Sequence, residues 1–518
     1  MSAAASNRAK GEIEPGPTGE ATFSPGDGAL GRRIAKGAGL MIAGQFAVRT
    51  LGILSTVILA RLLTPTDFGL IAIVVSAMQL LNGFTDIGIA FSVIKFQHTN
   101  KSDLDTLFTL SFLRGLFVAA ILIALGPFAS EAFDDDRLVL LFLVISLCPL
   151  VTGLQNPRFF EFERKLQFSP QFWAGIASKT FSVGLSIAIA VAFRTYWALI
   201  AGVVAATCAQ TAFSYVIRPY HPRLTLKSFG KVGGFTGWVT GISFVAALNN
   251  KIDVLIIAKI AGQQASGIFN VGVQLTEMAS NELSEPIARA LYPGFAAMQE
   301  TKENMRLVFL RGVEAIAFVS LPCAIGAALV AEPLIALAFG EKWRQVSGVI
   351  EILAPAVALQ SLFLSSQYFA MAQGRAVLIF WRELIFFFVR TPLIIYGAIH
   401  FGLLGAATAY AAAATAQSIL NCFIYQRITR RPFVDPIVSA QRSLLAVATM
   451  AIAVAFMRAM NPTDSVLFLL LTILVGAIVY CASAFTLWRW AGRPRGAESR
   501  LVALTSALFT EVGVKSQA

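Results

Sequence analysis

The stretch Ala60-Arg61-Leu62-Leu63-Thr64-Pro65-Thr66-Asp67-Phe68-Gly69 closes the first long apolar segment of the chain. It has a counterpart: Ala258-Lys259-Ile260-Ala261, leading to Gly267, aligns with it without a gap. One such match in apolar sequence carries little weight. A second match changes that, because Phe112-Leu113-Arg114-Gly115 returns as Phe309-Leu310-Arg311-Gly312. Both offsets are about 200 positions, which marks an internal duplication. An even number of apolar segments separates the copies, so both halves enter the bilayer from the same side. They are parallel repeats about an axis along the membrane normal.

Composition supports a bilayer. Of 518 residues, 56% are hydrophobic and only 14% charged, whereas soluble domains carry roughly a quarter charged residues. A soluble enzyme is excluded. Hydrophobic runs bounded by Gly, Pro or charge predict spans at 37–60, 68–93, 107–127, 137–156, 170–192, 195–217, 236–261, 266–292, 307–331, 346–370, 377–398, 403–426, 440–459 and 465–487. The expected fold class is therefore all-α, a polytopic membrane protein of about 14 transmembrane helices. The repeat divides it into an N-lobe at 36–217 and a C-lobe at 236–430, joined by a cytoplasmic linker at 218–235. An appended helix pair follows at 431–490. Residues 1–35, rich in Gly, Ala, Ser and Pro, read as a disordered tail, and 491–518 as a second tail. The first apolar run begins near Gly37, too late for a cleavable signal, so it is expected to stay as the first span.

Charge gives a separate check on topology. With the N-terminus inside, most of the 41 lysines and arginines fall in cytoplasmic segments. Examples are Arg158, Arg164 and Lys165, then Arg218, Arg223, Lys227 and Lys231, then Arg427, Arg430, Arg431 and Arg442. The cluster Asp134, Asp135 and Asp136 falls outside. Both termini are then cytoplasmic, and the net charge of +12 signals topology rather than nucleic-acid binding. The basic, aromatic stretch from Phe159 to Phe168 reads as an interfacial segment. The five cysteines and three histidines are scattered singly, and no phosphate loop, dinucleotide fingerprint or zinc-helix motif occurs. No cofactor or metal is expected, and a transporter without its own ATPase is the default.

Charges inside spans are the candidates for function. Each Arg or Lys at a bilayer centre costs about 2.5–3.5 kcal/mol on the insertion scale, so such residues must face protein, a watered cavity or a rim. Arg49 sits midway through span 1. Arg114 and Arg311, at equivalent places in spans 3 and 9, are candidates for a basic entrance to a cavity, since guanidinium forks suit phosphates; snorkelling anchors are the competing reading. Lys251 and Asp253 lie two apart in span 7 and do not share a helical face, so they are no simple local pair. Lys179 and Arg390 are further cavity candidates. Asp86, Asp253, Glu285 and Arg289 are candidates for a coupling-ion site or structural pairing, and Glu285 with Arg289 at i,i+4 reads as an intrahelical salt bridge. At the outer rim, Pro65 and Gly69 punctuate a hairpin. Arg61 and Asp67 beside them either clamp substrate or make local caps.

These motifs also resemble a known family. The run Arg61 to Gly69 is similar to the signature after the first helix of polysaccharide flippases of the multidrug/oligosaccharidyl-lipid/polysaccharide (MOP) exporter superfamily, and most to the exopolysaccharide branch of the Wzx type. Tyr196-Trp197-Ala198-Leu199 resembles the start of their sixth helix. Pro333, Gly340, Lys342 and Trp343 resemble their loop after the ninth helix, and Gly402 through Ala407 the start of the twelfth. The resemblance covers about residues 36 to 430. It implies two six-helix lobes around a central cavity. It also implies translocation of undecaprenyl-pyrophosphate-linked oligosaccharide across the inner membrane by alternating access, with membrane lipids, the lipid-linked substrate and a polysaccharide polymerase as partners and no nucleic acid. It strengthens Arg49, which falls where lipid II flippases of the superfamily carry a functional arginine. The alternatives are a cation-coupled multidrug antiporter of the same superfamily, which needs a carboxylate-dominated cavity, and a non-transporting scaffold of a polysaccharide synthase complex.

Overall fold

The computed structural model describes residues 28–85, 100–164, 167, 169–297, 302–373, 375–460, 465–493 and 496. Among these, all regular structure is helical, and helix occupies the described part of each expected apolar segment. The N-lobe holds α1 (Gly28–Leu62), α2 (Pro65–Phe84) and α3 (Lys101–Phe133). It continues with α4 (Arg137–Ile145) and α5 (Leu147–Gly153) in series, then α6 (Ser169–Phe193) and α7 (Trp197–Ile217). The C-lobe holds α8 (Phe229–Ala261), α9 (Gln263–Ala297) and α10 (Lys302–Leu329). The short α11 (Ala331–Ala338) follows, then α12 (Gln345–Ser361), α13 (Ser365–Ala372) and α14 (Ala376–Thr429). The appended pair is α15 (Asp435–Met460) and α16 (Val466–Trp490). Among the described residues, ten helical stretches are long and apolar enough to cross a membrane.

Two boundaries differ from expectation. α1 starts at Gly28, inside the tail read as disordered, because the run Arg32-Arg33-Ile34-Ala35-Lys36 consists of residues that favour helix. The linker is shorter than 218–235, since α8 starts at Phe229. What remains is strapped to α3. Asp105 accepts from the Arg223 amide at 3.2 Å and from the Tyr220 hydroxyl, while Thr109 and Thr106 accept the amides of Thr225 and Ser228 at 2.9 and 3.3 Å. Residues 105, 106 and 109 lie on one face of α3, so the linker belongs mechanically to the N-lobe.

α14, at 54 residues, would span about 80 Å if straight, far more than a bilayer. It is two helices: Gly402 has φ +62° and ψ −143°, a conformation that side chains other than glycine resist. The chain reverses there. A Cβ on Gly397 would strike the carbonyl of Gly405, and one on Gly405 would strike the carbonyl of Gly397.

The two lobes meet chiefly through α2, which packs against both α8 and α9. At the hairpin end the repeated glycines touch each other. A Cβ on Gly69 would collide with the Gln263 carbonyl, and one on Gly267 would collide with the Pro65 carbonyl. The appended pair continues the C-lobe core, since Ala446, Met450 and Tyr480 are buried in one cluster with Phe309, Ile316 and Leu353.

Candidate functional site

Between the lobes lies a cavity of about 740 Å³, lined from α1, α2, α6, α7, α8 and α9, with Tyr410 from α14. It contains Arg49, Lys179, Lys251, Asp253, Glu277 and Glu282, together with the amides Gln79, Asn249, Asn250, Asn270 and Gln274. The duplicated hairpins close one end of it.

Pairing decides what these charges can do. Arg49 of α1 forms an ion pair with Glu282 of α9, so this cation bridges the lobes. Asp253 is engaged by Arg390, 3.1 Å away, whose guanidinium also donates to the Asn249 carbonyl and sits between the rings of Phe386 (4.7 Å) and Tyr410 (5.3 Å). With only 2% of its surface exposed, Arg390 stands behind the cavity wall and does not line it. The same wall is braced by Asn249, which donates to the Glu383 carboxylate at 2.9 Å, and by Arg382, which binds Glu383 and Asn421 (3.0 Å). This network is readable in the sequence only in part, as an Arg-Glu step in the middle of an apolar run. Its partners on α8 and on the second half of α14 come from tertiary packing.

Lys179 and Lys251 differ. They come from opposite lobes, both line the cavity, and among the described residues neither has a carboxylate in ion-pair contact. The Lys179 ammonium lies over Gly52 of α1, where a Cβ would meet its Nζ at 3.6 Å. Pairing cancels Arg49 against Glu282 and Arg390 against Asp253. Two ammonium groups then face one unpaired carboxylate, Glu277, and the cavity carries a net positive field among its described residues.

The remaining candidates stand elsewhere. Arg114 donates to the Thr85 hydroxyl (3.1 Å) and the Asn82 side chain (3.0 Å). It is thus tied to the C-terminal end of α2, and it lines a separate cavity of about 180 Å³ rather than the central one. Arg311 is exposed, so the duplicated motif does not give its two arginines one environment. The feature the copies share is their glycine: Gly115 seats against the Pro149 carbonyl and Gly312 against Leu291. Glu285 pairs with Arg289 at 2.9 Å as the i,i+4 spacing requires. The two described carboxylates offered for a coupling ion, Asp253 and Glu285, are therefore both held by arginine. Asp86 lies outside the described residues, as does Lys165 of the interfacial stretch. The described part of that stretch is a 3-10 turn (Pro157–Phe160) and one helical turn, fixed by a Glu161–Arg218 pair at 2.8 Å.

At the rim, Asp67 and Thr64 form a capping box on α2. Arg61 reaches the other lobe, donating to the carbonyls of Ala338 (2.8 Å) and Leu337 at the end of α11. The C-lobe reciprocates. Lys342 donates to the carbonyls of Arg61 (3.0 Å) and Leu63, and the Trp343 indole donates to the Ala60 carbonyl at 2.8 Å. Lys259, the repeat counterpart of Arg61, donates to the Ala132 carbonyl near the end of α3. The rim motif is an inter-lobe latch, in which cations from each half occupy orphan carbonyls at helix C-termini of the other.

Two parallel helical lobes that latch at one end over a polar, positively biased interfacial cavity define a two-lobed membrane transporter fold. The sequence profile described as "Polysaccharide biosynthesis protein" matches residues 58–348, and the chain belongs to that family. It is 25% identical over 382 residues to the lipopolysaccharide biosynthesis protein WzxC of Escherichia coli K12, covering 72% of this chain and 77% of that one. It is 21% identical over 433 residues to the succinoglycan biosynthesis transport protein ExoT of Rhizobium meliloti, covering 82% and 87%. Among solved structures, the inward closed conformation of the lipid II flippase MurJ superposes with a TM-score of 0.71 at 13% identity, covering 87% of this chain and 99% of that one. The fold expected from the motifs, that of a MOP-superfamily polysaccharide flippase, is the fold found.

Proposed function

We propose that this chain is a flippase for lipid-linked oligosaccharide, crossing the inner membrane fourteen times, and that it seats the substrate's pyrophosphate between Lys179 and Lys251. The observation that carries the reading is the pairing pattern in the cavity. Both arginines near it are committed to carboxylates, and the two lysines left over come from different lobes. At an effective dielectric of about 20, one ammonium–phosphate contact at about 4 Å is worth about 4 kcal/mol before desolvation. A doubly charged group held by both lysines therefore draws the lobes together around it. The sugars have the cavity's amides as hydrogen-bond partners, and the undecaprenyl tail stays in lipid.

A cationic drug finds the opposite arrangement, because Asp253 and Glu282 are already neutralised and Glu277 alone faces two ammonium groups. That disfavours the multidrug antiporter. The scaffold reading gives no reason for half-buried cations from opposite lobes lining one cavity without an ion-pair partner. The names of the relatives, which concern lipopolysaccharide and succinoglycan biosynthesis, support a role in surface or secreted polymer assembly, with a polymerase acting next.

The test is the fate of lipid-linked saccharide in cells lacking the protein and any redundant flippase. Accumulation on the cytoplasmic leaflet with loss of polymer is expected. Unchanged polymer overturns the proposal. Lys179→Ala/Lys251→Ala at equal membrane abundance should reproduce the loss, and full polymer there removes the lysine seat while leaving the flippase reading standing.

A further inference from the structure

Outside the cavity, the hairpin inside α14 ends in an unusual pair of charges. Gly397 packs on Gly405 near the turn, and Arg382 bonds to Asn421 further along, which fixes the register of the two antiparallel halves. Followed to its open end, that register brings Arg375 level with Arg427. Both line one surface cavity of about 500 Å³ with Val377 and Leu378. Both guanidinium groups are exposed, and among the described residues neither has an ion pair or a side-chain hydrogen bond. Two like charges held level with no carboxylate between them repel weakly through water, and an anion seated between them gains from both.

The faces leading to them are apolar and exposed. On the first half, Val377 and Trp381 are one turn apart; on the second, Ile419, Phe423 and Arg427 follow each other at i,i+4. The second stripe thus ends in Arg427, and Arg375, the cap residue just before the first, meets it in the shared cavity. Trp381, one turn beyond Val377, is the residue type expected at a headgroup boundary.

We propose that Arg375 and Arg427 form a binding site for the headgroup of an anionic phospholipid of the surrounding bilayer, with its acyl chains lying along the two stripes. A basic pocket between transmembrane helices at the membrane surface has the chemistry for such a headgroup, and paired guanidinium forks bind phosphate oxygens with fixed geometry. The site shares no residue with the central cavity, so it concerns a resident lipid and not cargo. It rests only on the chain spanning a bilayer and stands or falls separately from the flippase reading.

The test uses the full chain in detergent, titrated with tetraoleoyl cardiolipin, phosphatidylcholine, inorganic pyrophosphate or undecaprenyl pyrophosphate, with the melting temperature and native mass spectrometry as readouts. Cardiolipin should raise the melting temperature and remain bound, and phosphatidylcholine should not. In Arg375→Gln/Arg427→Gln the cardiolipin affinity should fall about tenfold to thirtyfold, and the Lys/Lys variant should regain most of it. Both positions are exposed, so the unliganded melting temperature of the variants should match the parent and separates loss of a site from loss of fold. Full cardiolipin binding by the Gln/Gln variant overturns the site. Equal protection by inorganic pyrophosphate, or binding of undecaprenyl pyrophosphate in preference to cardiolipin, overturns its assignment to a resident phospholipid.

Discussion

At Arg49 a cation in the middle of an apolar span is held by Glu282 from the opposite lobe, and this is the kind of fact that span-by-span reading misses. The sequence places a cation at mid-depth and a row of carboxylates on α9, but which carboxylate meets it depends on how two lobes dock. Arg49 lines the cavity but is paired there, so the proposed substrate seat rests on Lys179 and Lys251. Losing one charge-assisted contact costs about 1.5–3 kcal/mol, so either Lys→Ala change should weaken substrate binding about tenfold to a hundredfold. Arg49→Ala should act differently, by freeing Glu282 and turning the cavity less positive; a flux assay with the three variants side by side distinguishes a seat from a bridge. Arg390 gives a stability prediction. Arg390→Met strands Asp253 in a buried site and should cost about 3–5 kcal/mol, seen as a large fall in melting temperature. Arg390→Met/Asp253→Leu should recover much of it.

The helices themselves are largely legible in the sequence, because hydrophobic runs bounded by Gly, Pro and charge are a strong signal in lipid-spanning sequence. Their ends are not, and the reasons are local. α1 begins inside a segment whose overall composition reads as disordered, since a short helix-forming run there is outvoted by the Gly and Pro before it. The linker looks loose because its hydrogen bonds are made by backbone amides to Asp105, Thr106 and Thr109 more than a hundred residues earlier. Gly69 reads correctly as a turn residue, yet its larger role is contact with Gly267. Gly69→Val should be severe, because the obstruction is the Gln263 backbone and no rotamer relieves it. Overpacking of this sort costs about 1–3 kcal/mol and falls wholly on the latched conformation. A cysteine pair across the hairpin end should accordingly cross-link less in Gly69→Val than in the parent, and an unchanged yield would argue against the contact.

For the whole molecule, the latch and the appended pair define which bodies move. α15 is tied to α10 and α11 along its length through Arg306–Asp435 (2.9 Å), Arg442–Glu314 and Arg458–Glu332 (3.2 Å). The appended pair therefore travels with the C-lobe. Two of the surface ties titrate. Asp135 is held below its usual value first by its hydrogen bond from Arg137 and further by Gln263 of the other lobe. Glu332 is likewise held low, first by Arg344 and then by Arg458. A carboxyl whose folded value is depressed contributes stability that is complete above its unfolded value and lost as pH falls through the folded one. Melting temperature should thus be flat from about pH 5 to 8 and drop below about pH 4. In Asp135→Asn/Glu332→Gln that acid-side drop should be smaller, with a lower plateau at neutral pH.

The glycine contact at the hairpin end has a further consequence. Gly69 and Gly267 are copies of one residue, and each packs on the backbone of the other's hairpin. That is the contact an isologous dimer makes at its two-fold axis, here enclosed within one polypeptide. The chain thus joins its two repeats by a surface that fits its own copy. A substitution at either glycine presses on the backbone of the other repeat, so at this joint neither half can be altered alone, whereas a cavity side chain of one lobe can be.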